Sequence, residues 1–217
     1  MIVSRGRRYI FVHIPKTGGT ALTLALEGRA LKDDIFIGDT PKARARRGRL
    51  AGVTTAGRLW KHSTLSDVQG LVSAEEMAEF FTLTLVRNPW DRMLSFYHYL
   101  RGKTFDHPMV RAARACDFHG FLHDGVTGRL IADTPASSYL RRPDGRDGGQ
   151  LYARIEHFEQ DIRPFEDHLG FRLSPLPRAN ASKRPRDWRP AYSADDAEHI
   201  ARLCAEDISR FGYRFDP

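Results

Sequence analysis

An α/β fold, with a central parallel sheet flanked by helices on both faces, is predicted by three observations. Two short β-rich runs, residues 9–14 and 80–87, each stop at a polar segment and open into a helical pattern. Strand and helix patterns then alternate along the chain instead of segregating. The length of 217 residues, with 41% hydrophobic and 28% charged side chains, suits a single domain over residues 1–217 with a substantial core.

Each element has its own justification. Residues 9–14, YIFVHI, are short and rich in β-branched and aromatic side chains, as in a buried strand. Residues 18–27 form a helix with Leu22, Ala25 and Leu26 on one face. Residues 35–37 make a short strand, and residues 38–57, rich in Gly, Arg, Thr and Ala, a long mobile loop. Residues 58–62 are a candidate strand and 73–80 a short helix. The second confident strand, FFTLTLVR at 80–87, runs into a helix start. Asn88 serves as N-cap, Pro89 takes the first helical position and Asp91 lies in the first turn. Trp90, Met93, Tyr97 and Leu100 then form a core-facing stripe, with Arg92, Ser95 and Tyr99 on the other side. Residues 104–124 read as broken helix, 141–149 as a turn-rich loop, 151–156 as a strand and 157–169 as a helix interrupted near Pro164. A proline-rich extended segment follows. Ser193 and Asp196 make a capping box, and the stripe Ala197, Ile200, Ala201, Cys204, Ile208, Phe211 predicts one helix ended by Gly212.

Composition narrows the function. No apolar run approaches the roughly 18 residues of a membrane span. The basic N-terminus is followed by only six apolar residues and no small-residue cleavage site, so a signal peptide is not expected and the cytoplasm is. Cys116 and Cys204 read as buried free thiols without metal-ligand spacing. The net charge of +7, from 34 basic and 27 acidic residues, points to an anionic partner. The basic run KARARRGR, residues 42–49, reads as a solvated loop or an anion-binding loop. Nucleic acid is not expected, because basic residues are not densely interleaved with aromatics.

The chemistry concentrates at the two strand-to-helix junctions. Lys16-Thr17-Gly18-Gly19-Thr20 lies between the first strand and its helix. Backbone N–H groups and the helix dipole favour an anion there. Gly18 and Gly19 let the backbone curl around an oxyanion, Lys16 adds a cation, and Thr17 and Thr20 add hydroxyl donors. The segment is not the triphosphatase loop G-x-x-x-x-G-K-[ST], since its Lys precedes the glycines. A tight turn with an incidental Lys is the alternative. At the second junction Arg87 ends the strand, and Ser95 lies eight residues on. Ligands of open α/β sheets bind beyond the carboxyl ends of the strands, so two such corners imply a ligand with two separated anionic groups.

These residues carry a family resemblance. HIPKTGGT resembles the 5′-phosphosulfate loop of sulfotransferases, and LVRNPWDRMLSFY resembles their 3′-phosphate motif. The variant is similar to the carbohydrate branch, which includes the heparan sulfate 2-O type and bacterial relatives. WKHS at 60–63, ARIEHFEQD at 153–161, RANAS at 178–182 and DISRFGYRF at 207–215 agree with it, less specifically. The resemblance implies a P-loop-like three-layer fold, 3′-phosphoadenosine 5′-phosphosulfate (PAPS) as donor, 3′-phosphoadenosine 5′-phosphate (PAP) as product and no metal. It implies that Lys16 touches the phosphosulfate and that Thr17, Gly18, Gly19 and Thr20 hold the 5′-phosphate. Arg87 and Ser95 would hold the 3′-phosphate. Lys183 and Arg184, in a C-terminal basic segment, would contact the donor or acceptor.

Sulfuryl transfer needs in-line placement, a cation for the charge growing on the leaving oxygen, which Lys16 supplies, and a base for the acceptor hydroxyl. Such a base contributes about 10²–10⁴-fold. His62 is the first candidate, since a neutral imidazole takes a proton near pH 7. His98 is second, Glu27 a weaker rival, and His13 reads as a core histidine. The acceptor expected is a hydroxyl of a sugar or glycan. The alternatives are a nucleotide-dependent phosphotransferase, which would need ATP and Mg²⁺, and a non-enzymatic binder of acidic polymers.

Overall fold

The computed structural model describes residues 1–177, 179 and 187–216. In chain order its elements begin with β1 (Ile2–Ser4), β2 (Tyr9–Val12), α1 (Gly19–Gly28), β3 (Ile35–Phe36), α2 (Pro41–Ala45), α3 (Ala74–Glu79) and β4 (Phe81–Val86). There follow α4 (Pro89–Arg101), α5 (Pro108–Ala115), α6 (Phe118–His123), α7 (Gly125–Ala132) and α8 (Ala136–Leu140). The chain closes with β5 (Leu151–Arg154), α9 (Phe158–Asp161), α10 (Arg163–Leu169), α11 (Ala194–Leu203) and α12 (Ala205–Phe211). The chain divides into two compact units: Met1–Val86 with Ala136–Ala179, and Arg87–Pro135 with Asn180–Pro217.

The first unit holds the sheet, in the order β3-β1-β2-β4-β5. β2, β4 and β5 are parallel, with Phe11 beside Leu83 and Leu85 beside Ala153. Their carboxyl ends therefore share one edge. The expected central parallel sheet is these three strands; an antiparallel part is added beyond β2, where β1 runs antiparallel to both β2 and β3. Residues 5–8 join β1 to β2, and so short a link allows a hairpin but not a crossover. Ile2, Phe11, Leu22, Leu26, Leu83 and Phe165 lie in one buried core.

Two further expectations for this unit change. Residues 58–62 are not a strand: Ser63 accepts from the Trp60 N–H and donates back to the Arg58 and Trp60 carbonyls, folding the segment into turns. The loop at 38–57 is not featureless. Thr40 caps α2, and residues 47–50 form a 3₁₀ turn. Three of its basic residues are engaged by the protein: Lys42 donates to the Glu27 carbonyl, Arg46 to those of Leu31 and Asp34, and Arg49 to that of Asp34. Lys42 thereby satisfies an end carbonyl of α1.

The second unit is helical. The Asn88 side chain caps α4, Pro89 opens it, and Trp90, Met93, Tyr97 and Leu100 are buried as the stripe predicted. The Ser193–Asp196 capping box starts α11. The predicted continuous last helix breaks at Cys204, where the backbone turns before α12 resumes, and Gly212 ends α12 with φ 68°. Cys204 is buried and its thiol is pushed up to about 12 by burial. Cys116, expected buried, is exposed, because it falls just beyond the last turn of α5. Both thiols are free. Among the described residues no helix is long and apolar enough to cross a membrane.

Candidate active site

The segment after β2 makes a tight turn before α1. Lys16 has φ 66° and Gly18 φ 87°, so two left-handed residues bracket Thr17. For Lys16 that conformation costs on the order of 1–3 kcal/mol, and strain of this kind concentrates at functional sites. Thr17 is buried, and its hydroxyl donates to the Ile14 carbonyl at 2.9 Å, closing the turn from within. What Thr17 offers a ligand in this arrangement is therefore its backbone. Gly18 caps α1 without a side-chain hydrogen bond, and the first turn of α1 holds no acidic residue. The helix thus begins with N–H groups that no side-chain cap satisfies and a dipole that no acidic side chain of its first turn offsets.

Both glycines answer to their neighbours. A Cβ on Gly18 would meet Ile155 at 3.0 Å, and one on Gly19 would lie 2.2 Å from the His13 ring. That ring is buried, stacked on Phe11 and edge-on to His62. Burial pushes the His13 imidazole well below its ordinary range, with a smaller push from His62. Thr20 lines a small recess together with His13, Thr23, Glu27, Thr40 and Lys61. Glu27 is buried and accepts from the Thr40 hydroxyl.

His62 sits in the same unit. Its Nδ1 is 2.8 Å from the His13 carbonyl oxygen. A carbonyl only accepts, so Nδ1 carries the proton and Nε2 the lone pair. Burial pushes the imidazole down to about 4, against the hydrogen bond to His13, which raises it. Trp60, 47% exposed, lies edge-on to the His62 ring at 5.0 Å between centroids.

In the second unit Arg87 is held by Asp91, with Nε 2.8 Å and Nη2 2.6 Å from Oδ2. The N-terminus of α4 is closed by its own residues, since Asn88 Oδ1 accepts from the Trp90 N–H at 3.1 Å. Any anion at this corner is left to side chains such as Arg87 rather than to the helix end. Ser95 is buried on α4, and His98, the second candidate base, is exposed there. Lys183 and Arg184 lie outside the described residues.

Three participants escape a reading of the sequence. Asp91 orients Arg87, and its i+4 spacing was a usable signal. The His13 carbonyl fixes the His62 tautomer, and Trp60 flanks the imidazole. The second depends on a contact across 49 residues, between positions 13 and 62, that no local pattern encodes, whereas Trp60 stands two residues from His62.

No curated protein sequence matches the chain. Solved structures do. One is the crystal structure of mouse sulfotransferase SULT7A1 complexed with PAP, at 16% identity and TM-score 0.52, over 94% of this chain and 86% of that one. At that identity the likeness establishes the fold. The profile described as the sulfotransferase family matches residues 1–214, nearly the whole sequence. The chain therefore belongs to the sulfotransferase family, whose P-loop-like α/β fold it shares.

Proposed function

We propose that the protein is a PAPS-dependent enzyme that transfers a sulfuryl group to a hydroxyl of a sugar or glycan and releases PAP. The observation that carries this reading is the turn after β2: a left-handed Lys16 and Gly18 open a helix whose N-terminus has no side-chain cap. Those donors suit a phosphosulfate, since they are a cation, helix-start N–H groups without a side-chain cap, and glycines that leave no room for a Cβ at Gly19 and little at Gly18. The family match over residues 1–214 supports treating both units as parts of one catalytic domain.

When bound, PAPS supplies a sulfuryl group attached to a phosphate leaving group. Lys16 stabilises charge on the leaving oxygen. The backbone of Thr17, Gly18 and Gly19, with the Thr20 hydroxyl, holds the 5′-phosphate. Arg87, oriented by Asp91, and Ser95 hold the 3′-phosphate, and Lys183 is a further contact. The Nε2 of His62 receives the acceptor hydroxyl proton. A sugar acceptor is favoured by the half-exposed Trp60 beside His62, whose indole offers a flat apolar face with a polar edge. The charge of +7 favours an acidic one.

Calorimetric titration of PAP, without added metal, into wild type and Lys16→Ala tests the reading. Saturable binding by wild type and at least tenfold weaker binding by the variant are expected. No binding by wild type overturns it and turns attention to ATP–Mg²⁺ and acidic polymers.

A further inference from the structure

In the helical unit, α6 carries two histidines four residues apart, His119 and His123, which places them on one face. Phe121 and Leu122, on the same short helix, pack in a core cluster with Ile200 of α11. Asp196 of α11 sits opposite the histidines. Its Oδ2 accepts from the Ser193 N–H at 3.0 Å and the Ser193 hydroxyl at 2.8 Å. That capping box fixes the carboxylate and leaves Oδ1 to the histidines. His119 Nδ1 is 2.7 Å away and His123 Nε2 3.1 Å away. We propose that His119, His123 and Asp196 bind one zinc-class divalent cation that ties α6 to α11.

The donor set fits this class of ion. Two imidazole nitrogens and one carboxylate oxygen suit borderline divalent metals better than Mg²⁺ or Ca²⁺, which favour all-oxygen shells. Tetrahedral zinc, with bonds of about 2.0–2.2 Å, separates its ligand atoms by roughly 3.3 Å. Here all three donor atoms lie within 4.8 Å of one another, so small side-chain movements complete the geometry. His119, with 60% of its side chain exposed, has room to make them. Each imidazole presents a lone pair to the ion once its N–H shifts to the other ring nitrogen. Asp195 Oδ2, 3.5 Å from His123 Nε2, or a water would supply the fourth ligand. The His199 ring stacks on His123 at 4.3 Å, and its own Nε2 is 3.1 Å from the Leu122 carbonyl, which holds the His123 ring in place. None of these residues is assigned to the donor or to the base, so the ion is structural.

Zn²⁺ is titrated calorimetrically into tag-free, chelator-treated wild type, His119→Ala and His123→Ala. One equivalent is expected to bind wild type with micromolar or tighter affinity, and at least tenfold more weakly in each variant. Co²⁺ is expected to give a tetrahedral absorption band in wild type that both variants lose. Zn²⁺ is also expected to raise the wild-type Tm but not that of His119→Ala, whose exposed ring is outside the core. Absence of saturable binding, or binding unchanged in both variants, overturns the proposal and leaves a metal-free hydrogen-bonded clip. PAP titration of the same variants reports independently on the donor site.

Discussion

One ring nitrogen of His62 is occupied by the His13 carbonyl, which leaves Nε2 for the proposed role as base. Burial lowers the pKa to about 4 against the hydrogen bond that fixes the tautomer, which keeps the ring neutral across physiological pH at the expense of basicity. The sign follows directly. Protonation removes the Nε2 lone pair, so kcat/KM is expected to be flat from pH 8 to about 5 and to fall tenfold per unit once pH drops below about 4. An acid limb near 6.5 would show that His62 is hydrated or is not the base. His62→Gln is expected to lower kcat by about 10²–10⁴-fold while leaving PAP affinity unchanged. A loss of PAP affinity equal to the loss of rate would instead make His62 a donor contact. Arg87 makes a related point: its guanidinium is aimed by Asp91 before any ligand arrives.

At the scale of elements, the two strand-to-helix junctions look alike in sequence but are built differently. α4 satisfies its first N–H groups with Asn88, whereas α1 starts from Gly18 with no side-chain cap. The first junction is therefore the one that leaves its helix end without a side-chain cap, as the proposed 5′-phosphate site requires. Gly19 is required there by packing rather than by φ. An added Cβ would overlap the His13 ring, and that ring is confined by Phe11 and His62. Gly19→Ala is expected to destabilise the fold by roughly 1–3 kcal/mol, read as a lower Tm, and to weaken PAP binding as the turn shifts. Unchanged stability would mean that the His13 ring yields freely. The segment at 38–57 shows the opposite case, where a basic run that reads as a solvated or an anion-binding loop has Lys42, Arg46 and Arg49 tied down through backbone carbonyls.

For the whole molecule, buried neutral histidines couple stability to pH. His13 and His62 both sit below their unfolded value of 6.5, and His199 is lowered as well. The unfolded chain therefore binds more protons than the folded one between about pH 6.5 and 4. The contribution of these imidazoles is full above 6.5 and declines as pH falls through that window, with His62 accounting for roughly 3 kcal/mol, while the Met1 amino group, lowered by burial from 8.0 to about 5, adds a loss that begins below pH 8. Carboxylates held low by hydrogen bonds, such as Asp161 against Arg154, add their loss only near and below their ordinary range. Denaturant unfolding at pH 7.5, 6.5 and 5 is expected to show this slope, and His62→Gln to flatten it. An equal slope in the variant would place the proton uptake elsewhere.

Much of this was legible without a structure. The runs at 9–14 and 80–87, the Asn88–Pro89 helix start, the α4 stripe and the Ser193–Asp196 box are local signals, and each formed as its spacing required. So was the family, because HIPKTGGT and LVRNPWDRMLSFY are contiguous motifs whose chemistry is set by neighbours in sequence. Tertiary structure alone decided the antiparallel β1, the ordering of 38–57, the role of Gly19, the tautomer of His62 and the meeting of His119, His123 and Asp196. Each of these depends on groups brought together from distant positions, by a ring, a carbonyl or a carboxylate, and a linear pattern holds no record of such contacts until the chain packs.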